Sequence, residues 1–165
     1  MTARKFIILI SFLFLALNIQ AAKLDDRDAL QGVKKGKVLF DINIADKPNK
    51  LALYLTVIQQ THSDLVRQNV EPDIVLAFRG MAVKLINTQR SDKMALEYEA
   101  SLEDVASLIE DLQKKRGIKM EACGIAMRLF KMKKETLLPG IKAVGNTFVS
   151  IIGYHAQGYA TIPIY

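Results

Sequence analysis

Apolar residues along this chain come in short blocks, and the spacing within the blocks changes from one to the next. The segment "KVLFDINI" (residues 37–44) is a compact apolar and β-branched run ending at the turn-like "ADKPNK", which predicts a buried strand. From Pro48 the period becomes helical. Leu51, Tyr54, Leu55, Ile58, His62 and Leu65 recur at helix spacing to about Gln68, and a proline suits the first turn. Leu53 and Val57 widen that stripe, so this helix has a second apolar face that a neighbouring subunit would cover. "PDIVLAFRG" (residues 72–80) reads as a second strand, and the following "MAVKLIN" fits either a short strand or a helix. Residues 88–100 are polar and read as loop or frayed helix. At Ser101, "SLED" has the spacing of a capping box, so a helix is predicted to start there, with Leu102, Val105, Ile109 and Leu112 facing inward and "KKRG" closing it.

The remaining third repeats the alternation. "IKMEAC" is a short strand, "GIAMRLF" a helix, "LLPG" a turn and "IKAVGN" another strand; Asn146 then caps the helix "TFVSIIGYHAQ", and "YATIPIY" is a last strand. Strands alternating with helices predict an α/β fold: a three-layer α/β/α sandwich with a mainly parallel sheet of about five strands. In such sheets ligands bind outside the carboxyl ends of the strands. That edge collects Asn43 and Asp46, Arg79 and Gly80, Cys123 and Gly124, and Gly145 and Asn146 as a candidate rim.

The amino terminus changes the picture of compartment. "MTARKFIILISFLFLALNIQAA" places Arg4 and Lys5 before an apolar run over residues 6–17 and ends in two alanines, the pattern of a cleaved export signal. Twelve apolar residues fall short of the roughly 17–25 a spanning helix needs. Ile19 or Gln20 stands at the third position before the cut, so a retained anchor is kept as the lesser alternative. The expected organisation is a signal peptide at 1–22, a polar leader at 23–36 and one domain at 37–165, periplasmic or secreted, with no stable membrane insertion after cleavage. Without Arg4 and Lys5, 21 basic residues face 17 acidic ones, and the net charge falls from +6 to +4. Charge this mild and dispersed, on an exported chain, argues against nucleic acid as a partner.

A single cysteine closes no intrachain bridge, so packing must supply the stability and Cys123 is buried, reactive or paired with another molecule. At the junction of a strand and a helix start, unpaired backbone N–H groups favour the thiolate, the nucleophilic form of the residue. Gly124 would let a substrate approach the backbone, and Arg128 or Arg79 would add positive charge. The competing reading is that Cys123 is a small hydrophobe in a well-packed turn. His62 and His155 lie on apolar stripes of predicted helices, which suits packing or hydrogen bonding better than general-base catalysis. No Cys/His cluster has metal-ligand spacing, which argues against a zinc site. "FRG" and "VGN" match neither a Walker sequence nor a dinucleotide fingerprint, leaving only a weak case for anion binding by Arg79 and Asn146.

Taken together, "KVLFDIN", "VLAFRGMAVKL", "GIKMEACGIAMRLF" and "VGNTFVSIIGYHAQGYATIPIY" resemble the DsrE/DsrF-like family, which includes YchN-like and TusD-like proteins of sulfur metabolism. The resemblance implies an α/β/α sandwich assembled as a homo-oligomer, a trimer or hexamer. It also implies that Cys123, at the position of the sulfur-accepting cysteine of relay members, takes sulfane sulfur as a persulfide and passes it to a partner protein. Asn43, Arg79, Gly80, Gly124 and Asn146 are the candidate binding rim around it. The alternative is a non-catalytic oligomeric domain that binds a small molecule or protein, with Cys123 structural.

Overall fold

The computed structural model of the protein describes residues 24–45 and 47–165. The proposed export signal at residues 1–22 and the rim candidate Asp46 lie outside them.

Five strands form one sheet: β1 (Lys35–Ile42), β2 (Glu71–Phe78), β3 (Ile118–Cys123), β4 (Ile141–Val144) and β5 (Ala160–Ile164). All four pairings are parallel, in the order β4-β3-β2-β1-β5. The helices are α1 (Pro48–Arg67), α2 (Ala82–Leu85), α3 (Asp92–Gln113), α4 (Gly124–Leu129) and α5 (Thr147–Ala156). Parallel neighbours require crossovers, and crossovers have a fixed hand. Winding outward from β1 to β3 therefore puts α1 and α3 on one face, and the return from β4 to β5 puts α5 on the other. The predicted three-layer arrangement is present, although α5 alone crosses the second face, touching β1, β2, β3 and β5.

The larger core fills the first face: Phe40, Ile42, Ile74, Leu76 and Phe78 from the sheet meet Leu51, Leu55 and Ile58 of α1 and Leu102, Val105 and Ile109 of α3. The second face has a small apolar centre of Leu39, Val75, Ala77 and Tyr159, packed by Ile151 and Tyr154. Polar groups fill the rest of it. Asp73 takes ion pairs from Lys35 at 3.2 Å and Lys119 at 3.0 Å, and the Tyr154 hydroxyl donates to Glu121 at 2.9 Å. Burial and this bond to Glu121 push the Tyr154 phenol up to about 12.

Two boundaries differ from the sequence reading. β1 starts and ends two residues earlier than residues 37–44, because Lys35 and Gly36 already pair with Glu71 and Pro72. The helix expected from Ser101 begins at Asp92 instead, with the Ser91 hydroxyl accepting from the Met94 N–H. The backbone leaves helical geometry at Tyr98 (φ −136°, ψ 21°), a kink that joins two helical stretches, and the second of them begins shortly before Ser101. The undecided "MAVKLIN" contains the single turn α2.

Candidate functional site around Cys123

Phe78 and Ala122 form the last pair between β2 and β3, and both face the large core. One step further, Arg79 and Cys123 therefore turn to the opposite face, side by side. Asp41, one step before the end of β1, shares that face. The Arg79 guanidinium grips its carboxylate in a fork, Nε to Oδ1 at 2.6 Å and Nη2 to Oδ2 at 2.9 Å. The Phe148 ring lies over the guanidinium, 5.3 Å from Cζ to the ring centre. Arg79 is thus clamped and largely neutralised by Asp41, whose hydrogen bonds hold the guanidinium even more firmly in its charged form.

Cys123 ends β3 and stands as the N-cap of α4. It is 6% exposed and packs with Val83 and Ala126. Burial is the strongest single influence on its thiol and pushes the pKa up. Four donors outweigh it: the Thr147 hydroxyl, then the backbone N–H groups of Thr147, Ala126 and Ile125, so the thiol lies below its ordinary value. These donors belong to two helix starts, α4 and α5, which converge on one sulfur. The Thr147 side chain is fully buried and its hydroxyl has no partner besides the Cys123 sulfur, so its dipole is free to serve a thiolate.

Local geometry explains how two helix starts come so close. Asn146 caps α5, its side-chain oxygen accepting from the Phe148 N–H at 2.9 Å. A Cβ on Gly124 would stand 2.6 Å from the Val144 carbonyl oxygen and 3.2 Å from that of Gly145. The glycine therefore serves close approach by the end of β4. The Arg128 guanidinium folds back toward Gly124, with Nη1 3.5 Å from the same Cβ position.

Several of the described rim residues are tied to their neighbours. Gly80, at φ +53°, leaves room for the Asn43 side-chain amide, which a Cβ there would strike. The Asn43 N–H is spent on the Ile164 carbonyl at 2.8 Å, closing the edge where the strand order reverses. Arg79 gives Nε and Nη2 to Asp41, and Asn146 gives its side-chain oxygen to the α5 cap. His62 is buried, with Nε2 2.9 Å from the Arg116 carbonyl oxygen, whereas His155 is exposed together with Phe148 and Ile152 of the same helix stripe. Thr147 escaped the sequence reading. Its only signal was a hydroxyl directly after the predicted cap Asn146.

Among the described residues no cluster of three His, Cys, Asp or Glu side chains is placed to hold a metal ion, and no helix is long and apolar enough to cross a membrane. A cavity of about 570 Å³ lies between the leader and the end of α1 and takes no part in this site.

The curated relative matched, an uncharacterized protein of Aquifex aeolicus (strain VF5), is 24% identical over 127 residues, 77% of this chain and 55% of its own. The chain thus spans about half the length of that relative. Among solved structures, the protein of unknown function MTH1491 from Methanobacterium thermoautotrophicum superposes with a TM-score of 0.61 at 20% identity, over 78% of this chain and 99% of its own. The ychN protein from E. coli gives 0.54 at 14% identity, over 79% and 99%. Both likenesses concern the fold. The DsrE/DsrF-like family model matches residues 37–164, from the first paired core strand through the last, and the chain belongs to the DsrE/DsrF-like family.

Proposed function

We propose that this protein is an exported sulfur carrier or sulfurtransferase that uses Cys123. The observation that carries the reading is the lowered thiol of Cys123 where the starts of α4 and α5 converge. Family membership supports it. In the proposed step the Cys123 thiolate attacks the outer sulfur of a donor persulfide, R–S–SH. The donor S–S bond breaks, R–S⁻ leaves with the bonding pair, and Cys123–S–SH forms with no net oxidation. Attack by an acceptor thiolate on the outer sulfur then regenerates Cys123. Thiolate chemistry of this kind calls for no metal or organic cofactor. The donor and acceptor are proposed to be proteins, since the side chains beside the site are broad and apolar.

Incubating the folded mature protein with a persulfide donor, followed by mass spectrometry, tests the step. A 32-Da adduct on Cys123, absent in Cys123→Ser, is expected. No adduct, together with a thiol inert to alkylation until the protein unfolds, would sink the reading. That outcome favours the second one, a non-catalytic oligomeric binding domain with a structural Cys123, which the near-complete burial of the side chain supports.

The protein is further proposed to be periplasmic or secreted, with residues 1–22 removed. Amino-terminal sequencing of the natural product checks this, and an intact Met1 or Thr2 would refute it. A homo-oligomer, trimer or hexamer, is proposed from the apolar residues left exposed on α4 and α5.

A further inference from the structure

Away from Cys123, a group of unneutralised cations gathers where α2, the start of α3 and the end of α4 meet. Two adjoining cavities of about 350 and 220 Å³ share Lys84, Ser91 and Met94 as wall residues. Lys93 and Glu97 also line the first, and Arg90, Phe130 and Met132 the second. Among the described residues none of Lys84, Arg90 and Lys93 has a carboxylate within ion-pair distance, so three cations face one acid, Glu97. Arg90 is half-buried. Its Nη2 donates to the Leu102 carbonyl at 3.3 Å, while its Nε is fully buried and has no partner. Buried guanidinium N–H groups are ordinarily met by an acceptor, and here none is supplied by the chain. The rest of the wall mixes polar Asn87, Gln89 and Ser91 with an apolar strip, in which Met94 and Met132 pack against the core and Lys84 lies 4.4 Å above the centre of the Phe130 ring.

We propose that this double cavity binds a small organic anion, with a carboxylate, sulfonate or phosphate headgroup held by Arg90 and Lys84 and an apolar body lying on Met94 and Met132. A combination of fixed cations at one end and polarisable side chains at the other selects amphiphilic anions over inorganic ones and over neutral analogues. The kink at Tyr98 forms part of the first cavity's wall, which gives the break in α3 a use. Phe130 and Met132 also pack against the Val83, Cys123 and Ala126 cluster, so the cavity shares a wall with the thiol site. The proposal does not rest on sulfur chemistry at Cys123.

The test is a titration of the mature protein, carrying 13C-methyl methionine, with benzenesulfonate and phenyl phosphate, followed by NMR. The expected result is saturable movement of the Met94 and Met132 methyl signals, half-complete at or below about 5 mM, with that of core Met120 unmoved. Arg90→Met and Lys84→Met should each weaken binding about tenfold, the loss of one charge-assisted contact. Should Arg90→Met fail to fold through loss of its bond to Leu102, Lys84→Met and Lys93→Met carry the comparison. Cys123→Ala should bind as the native protein does, which separates failure here from failure of the sulfur reading. The inference is overturned by the absence of saturable shifts to about 50 mM, by native affinity in the charge variants, or by equal binding of benzyl alcohol or inorganic sulfate.

Discussion

At Cys123 two opposing effects meet on one atom. Removal of water from a thiolate raises its energy, and dipoles aimed at the sulfur lower it; here burial is the largest influence and four donors together exceed it. Thr147 is the donor that mutation can reach. Thr147→Val keeps the shape of the side chain and deletes the hydroxyl. It should move the alkylation profile of Cys123 to higher pH and slow reaction at pH 7 several-fold, as followed with iodoacetamide. An unchanged profile would remove Thr147 from the account. Stability follows the same sign. The folded thiol lies below its unfolded value, so the thiolate's stabilisation is complete above that value and disappears as pH falls through the folded one. Thr147→Val should therefore cost more stability at alkaline pH than at pH 6. Arg79 behaves differently. Its fork with Asp41 is mostly shielded from water, and Asp41→Asn should destabilise the fold by about 3 kcal/mol in urea, because it leaves a buried guanidinium half-paired.

Helix starts, rather than helix bodies, decide the geometry of this site. A helix exposes unpaired N–H groups only in its first turn, so the positions of Cys123 and Asn146 determine where donors are found. Both caps followed from the sequence, because a cysteine–glycine pair and an asparagine interrupt apolar runs there. The start of α3 did not follow. Ser91 and Ser101 both precede residues suited to a first turn, and local spacing found only the stretch beyond the kink at Tyr98. Ser91→Ala should cost about 0.5–1 kcal/mol, whereas Ser101→Ala, inside the helix, should stay within about 0.5 kcal/mol of the native protein. Equal losses in thermal unfolding would restore Ser101 as a cap. At the sheet's edge, Pro163 in β5 lies where one side of the strand has no neighbour, so its missing N–H leaves no ladder bond unmade on that side.

Across the whole molecule, the two faces of the sheet are unequal. Two long helices cover one, and ten-residue α5 covers the other, leaving Phe148, Val149 and Ile152 of α5 and Ile125 and Leu129 of α4 between 46% and 73% exposed. These side chains are too many and too close in sequence to be scattered surface apolars. The proposed oligomer would bury them. Light scattering on the mature protein should give a multiple of the single-chain mass, and Val149→Asp with Ile152→Glu should reduce it toward one chain. A native protein already monomeric at about 50 μM would remove α5 as an obligate subunit contact. The apolar residues expected to widen the α1 stripe, Leu53 and Val57, are likewise exposed.

Periodicity along the chain was enough to determine the existence and type of nearly every element, the parallel sheet, and the place of Cys123 at a strand end. Those properties depend on neighbours within a few residues. Even Asn146 as a cap is a local fact. The sequence also brought the rim residues into one list, since strand ends in a parallel sheet share an edge. Only the tertiary structure decided what each of them does. Arg79 reaches back to Asp41, 38 positions away; Gly124 admits the carbonyl of Val144; and Thr147 meets Cys123 across 24 residues of chain. The strand order that sends α5 to the second face brings its first turn onto a sulfur at the end of β3. Such meetings arise from crossover direction and close packing, which no local period encodes.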